Sequence, residues 1–227
     1  VYILHIGNKN YSSWSLRPWV LMRALGIPFT EKLHVFGQGS LKQFSPSGRV
    51  PSLVDDGVTV WDSLAITEHV AERNLQVWPT DVRARAWARS ATAEMHSGFA
   101  ALRHGCSFCV GLRIALHDKS PALLADLARL NELWADGLKQ FGGPFLAGPA
   151  FSAVDAFFAP IAFRVQTYGL PLGAAQAVYA QRLLSLTAMR EWESAALAEP
   201  WRDRTHDDEI LALGAVTEDL RAPVAAR

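Results

Sequence analysis

The sequence predicts a small α/β unit followed by a helical bundle, and three observations carry that expectation. Short apolar runs alternate with helical patterns up to Trp78-Pro79-Thr80. Beyond that point the periodicity turns helical, with almost no strand signal. The chain has 227 residues, half of them apolar and 19% charged, enough to bury the core of one large domain or two small ones. The expected division is residues 1–78 and 82–227.

Each element has a local reason. Tyr2–Ile6 is a short apolar strand bounded by Gly7-Asn8. Leu16, Trp19, Val20, Ala24 and Leu25 give a helical period that Gly26 ends. Ser15 is the expected N-cap, because Pro18 then falls in the first turn, where its missing N–H has no intrahelical partner. A start from Ser12 would set Pro18 a full turn deeper, so Ser12 and Ser13 are expected in the loop ahead of this helix. Phe29–Phe36 alternates as a second strand. Ser52–Asp55 and Val58–Trp61 form a hairpin around Asp56-Gly57, and Asp62–Asn74 forms a helix with apolar Leu64, Ala65, Ile66 and Val70.

The second half reads as a long helix over Val82–His117, kinked near Gly98 or Gly105, followed by Pro121–Phe141, Ala153–Tyr168, Ala174–Ser185 and Thr187–Ala198. Breaks fall at Gly142-Gly143-Pro144, Gly148-Pro149 and Gly169-Leu170-Pro171. Ser152-Ala153-Val154-Asp155 reads as a capping box. The charged stretch Trp201–Glu209 reads as a solvated C-terminal segment.

Composition excludes several classes. Lysine plus arginine and aspartate plus glutamate both number 22, which gives no electrostatic case for nucleic acid or an anionic membrane. No apolar run reaches the ~18 residues of a membrane helix. No basic stretch leads into an apolar one at the start, so no secretory leader is expected. Two cysteines suit a reducing compartment, and a cytoplasmic location is expected.

Val50-Pro51 carries the most functional information. A proline at a strand entrance lacks a ladder N–H, and one reason to keep it is a cis bond that presents the backbone of Val50 to a peptide-like ligand. Asp62-Ser63 opens a helix downstream, and Ser12-Ser13 precedes one upstream. A serine hydroxyl at a helix N-terminus can donate to a thiolate. A thiol with pKa ~8.5 needs a shift of about two units, ~3 kcal/mol, to ionise near neutral pH. A hydrogen bond to an ion supplies ~1.5–3 kcal/mol and a helix terminus ~0.3–1 kcal/mol, which together suffice.

Taken in order, Ser12-Ser13-Trp14-Ser15-Leu16-Arg17, Arg49-Val50-Pro51-Ser52-Leu53, Asp62-Ser63-Leu64-Ala65-Ile66 and Ser152-x-x-Asp155 resemble the cytosolic glutathione transferases, the zeta-like group most closely. The resemblance spans nearly the whole chain. It implies a thioredoxin-like N-terminal domain followed by an all-helical domain, and glutathione as co-substrate with no metal. It implies that Ser12, with Ser13 beside it, supports the glutathione thiolate, and that Val50, ahead of cis Pro51, pairs with the cysteinyl backbone. Asp62 and Ser63 would then hold the γ-glutamyl ammonium and carboxylate: an acceptor carboxylate suits the ammonium, and a serine hydroxyl with helix N-terminal amides suits the carboxylate. A small hydrophobic electrophile as second substrate and a homodimeric assembly follow from the same resemblance.

Departures from the zeta pattern narrow the expectation. Trp14 stands where those proteins usually have cysteine, so no redox thiol is present there. Arg49 replaces a glutamine, leaving two roles open, a salt bridge to a glutathione carboxylate or plain exposure. Thr167 takes the place of the substrate-binding arginine of zeta isomerases, and Arg164, three residues earlier, is the candidate substitute. Trp14, Arg103, Phe108 and Arg164 are the expected lining of the acceptor site, with packing or a dimer contact as the plain alternative for Arg103 and Phe108. Cys106 and Cys109 are expected as buried thiols on one helical face, and His96 and His104 lack carboxylate partners at metal-ligand spacing. Three other activities stay open on this frame: a non-catalytic glutathione-binding module, maleylacetoacetate isomerisation, and a glutathione-dependent peroxidase.

Overall fold

The structure, a computed structural model, describes residues 1–223. The chain begins with β1 (Tyr2–Gly7), α1 (Ser13–Ala24), β2 (Phe29–His34), a 3-10 turn at Leu41–Gln43, β3 (Ser52–Asp55), β4 (Val58–Trp61) and α2 (Ser63–Ala71). These strands form one sheet in the order β2-β1-β3-β4. Strand β1 runs parallel to β2 and antiparallel to β3, and α1 makes the crossover that parallel neighbours require. Asp56 and Gly57 both have positive φ (48° and 82°), the handedness that lets a two-residue turn join β3 to β4 with Asp55 opposite Val58. This is the expected thioredoxin-like α/β arrangement.

Helix α1 corrects the sequence reading. It starts at Ser13 with Ser12 as N-cap, and Leu16 N donates to Ser12 O at 3.2 Å, so Pro18 is interior. An interior proline costs ~3 kcal/mol through a lost hydrogen bond and ring crowding. Burial offsets that cost. Leu16, Trp19, Val20 and Leu21 are fully enclosed, and α1 packs along the central helix of the other half.

The rest of the chain comprises α3 (Val82–Ser97), α4 (Ala100–Gly105), β5 (Leu112–Leu116), α5 (Pro121–Phe141), α6 (Ala153–Tyr168), α7 (Ala174–Ser185), α8 (Thr187–Ala198), α9 (Arg204–Leu213) and β6 (Gly214–Asp219). Helix α6 is the hub: it is buried along nearly all its length and packs against α1, α3 and α7. Its entrance carries the expected capping box between Ser152 and Asp155. Asp155 Oδ2 accepts from the Ser152 amide at 2.9 Å, while the Ser152 hydroxyl turns to donate to the same oxygen at 3.3 Å. No described helix is long and apolar enough to cross a membrane.

Two further expectations fail here. The long helix Val82–His117 is three pieces, broken where Phe99 takes a left-handed φ of 52° and again after Gly105. The CxxC segment is therefore irregular rather than helical. Leu112–Leu116 is a strand because β6, about 100 residues away in sequence, pairs antiparallel with it, a contact that local periodicity cannot report. The stretch Trp201–Glu209 enters α9, capped by Asp203, which accepts from the amides of Thr205 and His206, and anchored by buried Ile210.

Candidate active site

One cavity of about 400 Å³ is lined by Trp14, Ser47, Arg49, Val50, Pro51, Trp61, Asp62 and Ser63. The residues come from three separate stretches, and each is held by its own element. The Val50–Pro51 bond is cis, and the β3 ladder starts only at Ser52, opposite His5. The Ser52 hydroxyl donates to Phe44 O at 3.0 Å, tying the preceding loop to the strand. Asp62 caps α2 with a φ of 76°, its Oδ1 accepting from Leu64 N at 2.8 Å. Ser63 is buried at the first helical position, and Arg17 Nη1 donates to its hydroxyl at 3.5 Å. Arg49 is exposed at the rim.

Ser12 and Ser13 stand at the N-terminus of α1, outside the lining itself, next to Trp14, which belongs to it. Ser12 is 5% exposed and makes no side-chain cap. Its hydroxyl donates to Ser15 Oγ at 2.7 Å, and Ser15 Oγ also accepts from Gly7 N at 3.2 Å. Ser13 is half-buried. The first amides of α1 thus keep their positive end free of a side-chain acceptor from the cap.

Around Trp14 the site is cationic. The Arg17 guanidinium lies 4.0 Å from the Trp14 ring centroid and 4.8 Å from that of Phe157. Burial, then the charges of Arg164 and Arg103, pull its pKa down to about 9. Arg103 lies 5.5 Å from the same indole. The Nε atoms of Arg17 and Arg103 and Nδ1 of His96 are buried with no hydrogen-bond partner among the described residues. His96 meets Trp14 edge-on at 5.3 Å, and its Nε2 is 3.5 Å from Asp62 Oδ2. Burial lowers its pKa.

Phe108 and Arg164 do not join this lining. They stack on each other at 5.3 Å, and Arg164 Nε donates to Cys106 O at 2.7 Å. The guanidinium is spent on backbone carbonyls in the interior. Thr167 does the same, donating to Cys109 O at 2.6 Å. Cys106 and Cys109 are buried free thiols, and burial pushes both up to about 11, which makes them unreactive. His104 is exposed.

Sequence reasoning left Ser15, Arg17, Ser47 and Trp61 without a role at the site. Arg17 had a readable signal, since it lies three residues from Trp14 on one helix face. Trp61 adjoins Asp62 in the chain but faces the cavity only because β4 runs beside β3.

Comparison with known proteins agrees with this architecture. Residues 11–73 match the glutathione S-transferase N-terminal domain family, and residues 115–203 match the C-terminal domain family. A probable maleylacetoacetate isomerase of Caenorhabditis elegans is 24% identical over 175 residues, covering 72% of this chain and 78% of that protein. A glutathione transferase homologue from Burkholderia gl BGR1, solved with bound glutathione, is similar with a TM-score of 0.65 and 22% identity, over 86% of this chain and 97% of that one. An unclassified glutathione S-transferase from Bombyx mori gives a TM-score of 0.70 at 18% identity, over 94% and 99%. With both domain families matched in order along a thioredoxin-like sheet and a helical half, this chain belongs to the glutathione S-transferase family of enzymes.

Proposed function

We propose that the cavity binds glutathione and that Ser12 stabilises its thiolate for attack on a small hydrophobic electrophile. One observation carries the reading: Trp14, Arg49-Val50-Pro51 and Asp62-Ser63, from three distant stretches, line a single cavity at the N-terminus of α1. The Asp62 carboxylate suits the γ-glutamyl ammonium. The Ser63 hydroxyl and the first amides of α2 suit its carboxylate. Val50 pairs with the cysteinyl backbone, and Arg49 pairs with the glycyl carboxylate at the rim.

The serine bonds supply a relay. Gly7 N–H donates to Ser15, and Ser12 and Ser15 share a hydrogen bond. When Ser12 turns its proton to a thiolate, Ser15 donates to Ser12 in its place. Each hydroxyl keeps a donor behind it, and the chain polarises toward the sulfur. The uncapped α1 terminus adds its dipole.

The test is calorimetric titration with glutathione together with conjugation to an aryl halide near neutral pH. Ser12→Ala is expected to lose about 30-fold in turnover, ~2 kcal/mol of barrier, with glutathione affinity nearly unchanged. Equal turnover moves the thiolate bond to Ser13. Retention on glutathione resin without turnover across a panel of electrophiles favours a binding module.

A second reading, isomerisation of a carboxylate-bearing electrophile, is favoured by the partnerless Nε donors of Arg17 and Arg103 beside Trp14. The name of the nematode relative points the same way. Turnover of a maleyl substrate that Arg103→Ala abolishes, with aryl-halide conjugation intact, selects it. We also read the protein as a cytoplasmic homodimer. Leu75, between α2 and α3, and Val82, the first residue of α3, are 82% and 66% exposed apolar side chains for a second copy to cover, and sedimentation tests that state.

A further inference from the structure

The loop that delivers Ser12 is pinned by the end of the chain, and the pins are polar. Arg221 Nη1 donates to Asp207 Oδ1 at 2.7 Å and to Tyr11 Oη at 3.1 Å. Tyr11 donates in turn to the same Asp207 oxygen at 3.0 Å. Asp219 fixes the other edge of the Arg221 guanidinium, accepting from Nε at 2.9 Å and from Nη2 at 2.8 Å. Space for this side chain exists because residue 111 is glycine, where a Cβ would collide with Arg221. Backbone bonds lock the segment, Leu220 N to Gly111 O at 2.8 Å and Ala222 N to Leu197 O at 2.7 Å.

His206, on α9, lies against two aromatic rings next to the site. Its ring stacks on Tyr11 at 5.3 Å on one side and on Phe36 at 5.3 Å on the other. Tyr11 precedes Ser12. Phe36 packs where a Cβ on Gly7 would collide with its ring and would lie 3.1 Å from Val50 Cγ2. The stack therefore runs from the residue before the serine pair to the neighbourhood of Val50.

We infer that residues 203–222 form a strap against the loop ahead of Ser12, and that Tyr11, His206, Asp207 and Arg221 are positioning residues that hold the Ser12 loop and the Val50 edge at a fixed separation. This rests on the glutathione reading above. The Tyr11 phenol is the acceptor and donor at the centre of the cluster.

The test uses the full chain with three substitutions: Arg221→Gln, His206→Ala and the mild Tyr11→Phe, which removes one hydroxyl only. Ultraviolet absorbance of the glutathione thiolate is titrated against pH in the complex, alongside kcat, glutathione affinity and thermal midpoint. The expected result is a rise of about 0.5 pH unit or more in the bound-thiol midpoint, about 3-fold in thiolate fraction near neutrality. The kcat should fall with it, affinity should hold, and Arg221→Lys should restore part of the loss. A lower thermal midpoint with an unmoved thiolate midpoint and kcat overturns the positioning role. A parent protein that binds no glutathione overturns the glutathione reading itself, and the positioning role with it. Tyr11→Phe keeps the test decisive if the larger changes prevent folding.

Discussion

Helices α1 and α6 both open from a serine, Ser12 and Ser152, and they pack on each other, yet the two termini are finished differently. At α6 the acid three residues on, Asp155, takes the Ser152 amide, the Ser152 hydroxyl, Leu146 N at 3.0 Å and the Tyr179 hydroxyl at 2.9 Å. At α1 the residue three on is Ser15, no carboxylate is present, and the cap hydroxyl bonds only another hydroxyl. One terminus is closed by an acid of the fold and the other has no side-chain acceptor at its cap. A negative charge supplied from within removes the reason to bind one from outside. The absence of an acid at residue 15 is as informative as the serine at residue 12.

The comparison can be broken from either end. The largest effect is expected at α6, where Asp155→Ala strands buried donors and should cost about 3 kcal/mol or more in urea unfolding. Glutathione affinity of the folded protein should stay put. A cost below about 1 kcal/mol would mean that the α6 terminus is not held by its acid.

The next effect is at α1. Ser15→Ala removes the donor behind Ser12 and should lower turnover about 5-fold, ~1 kcal/mol of barrier, less than Ser12→Ala. Measured kcat for the pair of variants ranks them, and the reverse order removes the relay.

The smallest effect is a pH slope. Burial pushes the Asp155 carboxyl from 3.8 up to about 6. The folded state then holds a proton that the unfolded state has lost. Its stabilising contribution is full below the unfolded value and fades as pH rises through about 6. Unfolding midpoints across this window should show the slope in the parent and lose it in Asp155→Asn.

Much of this protein follows from local rules. The ββα hairpin, the capped start of α6 and the helices from Pro121 to Ala198 come from turn residues, caps and short-range periodicity. The motifs that line the cavity are likewise contiguous in sequence. Tertiary structure decided the rest, because the deciding partner is far along the chain. Packing of α1 along α6 outweighed the helix rule at Pro18 and moved the helix start to Ser13. Strand β5 exists because β6 returns to pair with it, and its five residues alone carry too weak a preference. Arg164 looked like a substrate ligand from its place in α6, but its guanidinium turns inward to Cys106, and Arg17 and Arg103 are the cations beside Trp14 instead. Residues Trp201–Glu209 stay at least partly exposed, as the charged pattern implied, but tertiary structure brings His206 and Asp207 of α9, with Arg221 beyond β6, against Tyr11. Charge and hydropathy are properties of one residue and its neighbours, whereas a buried ion's role depends on which groups folding brings to face it.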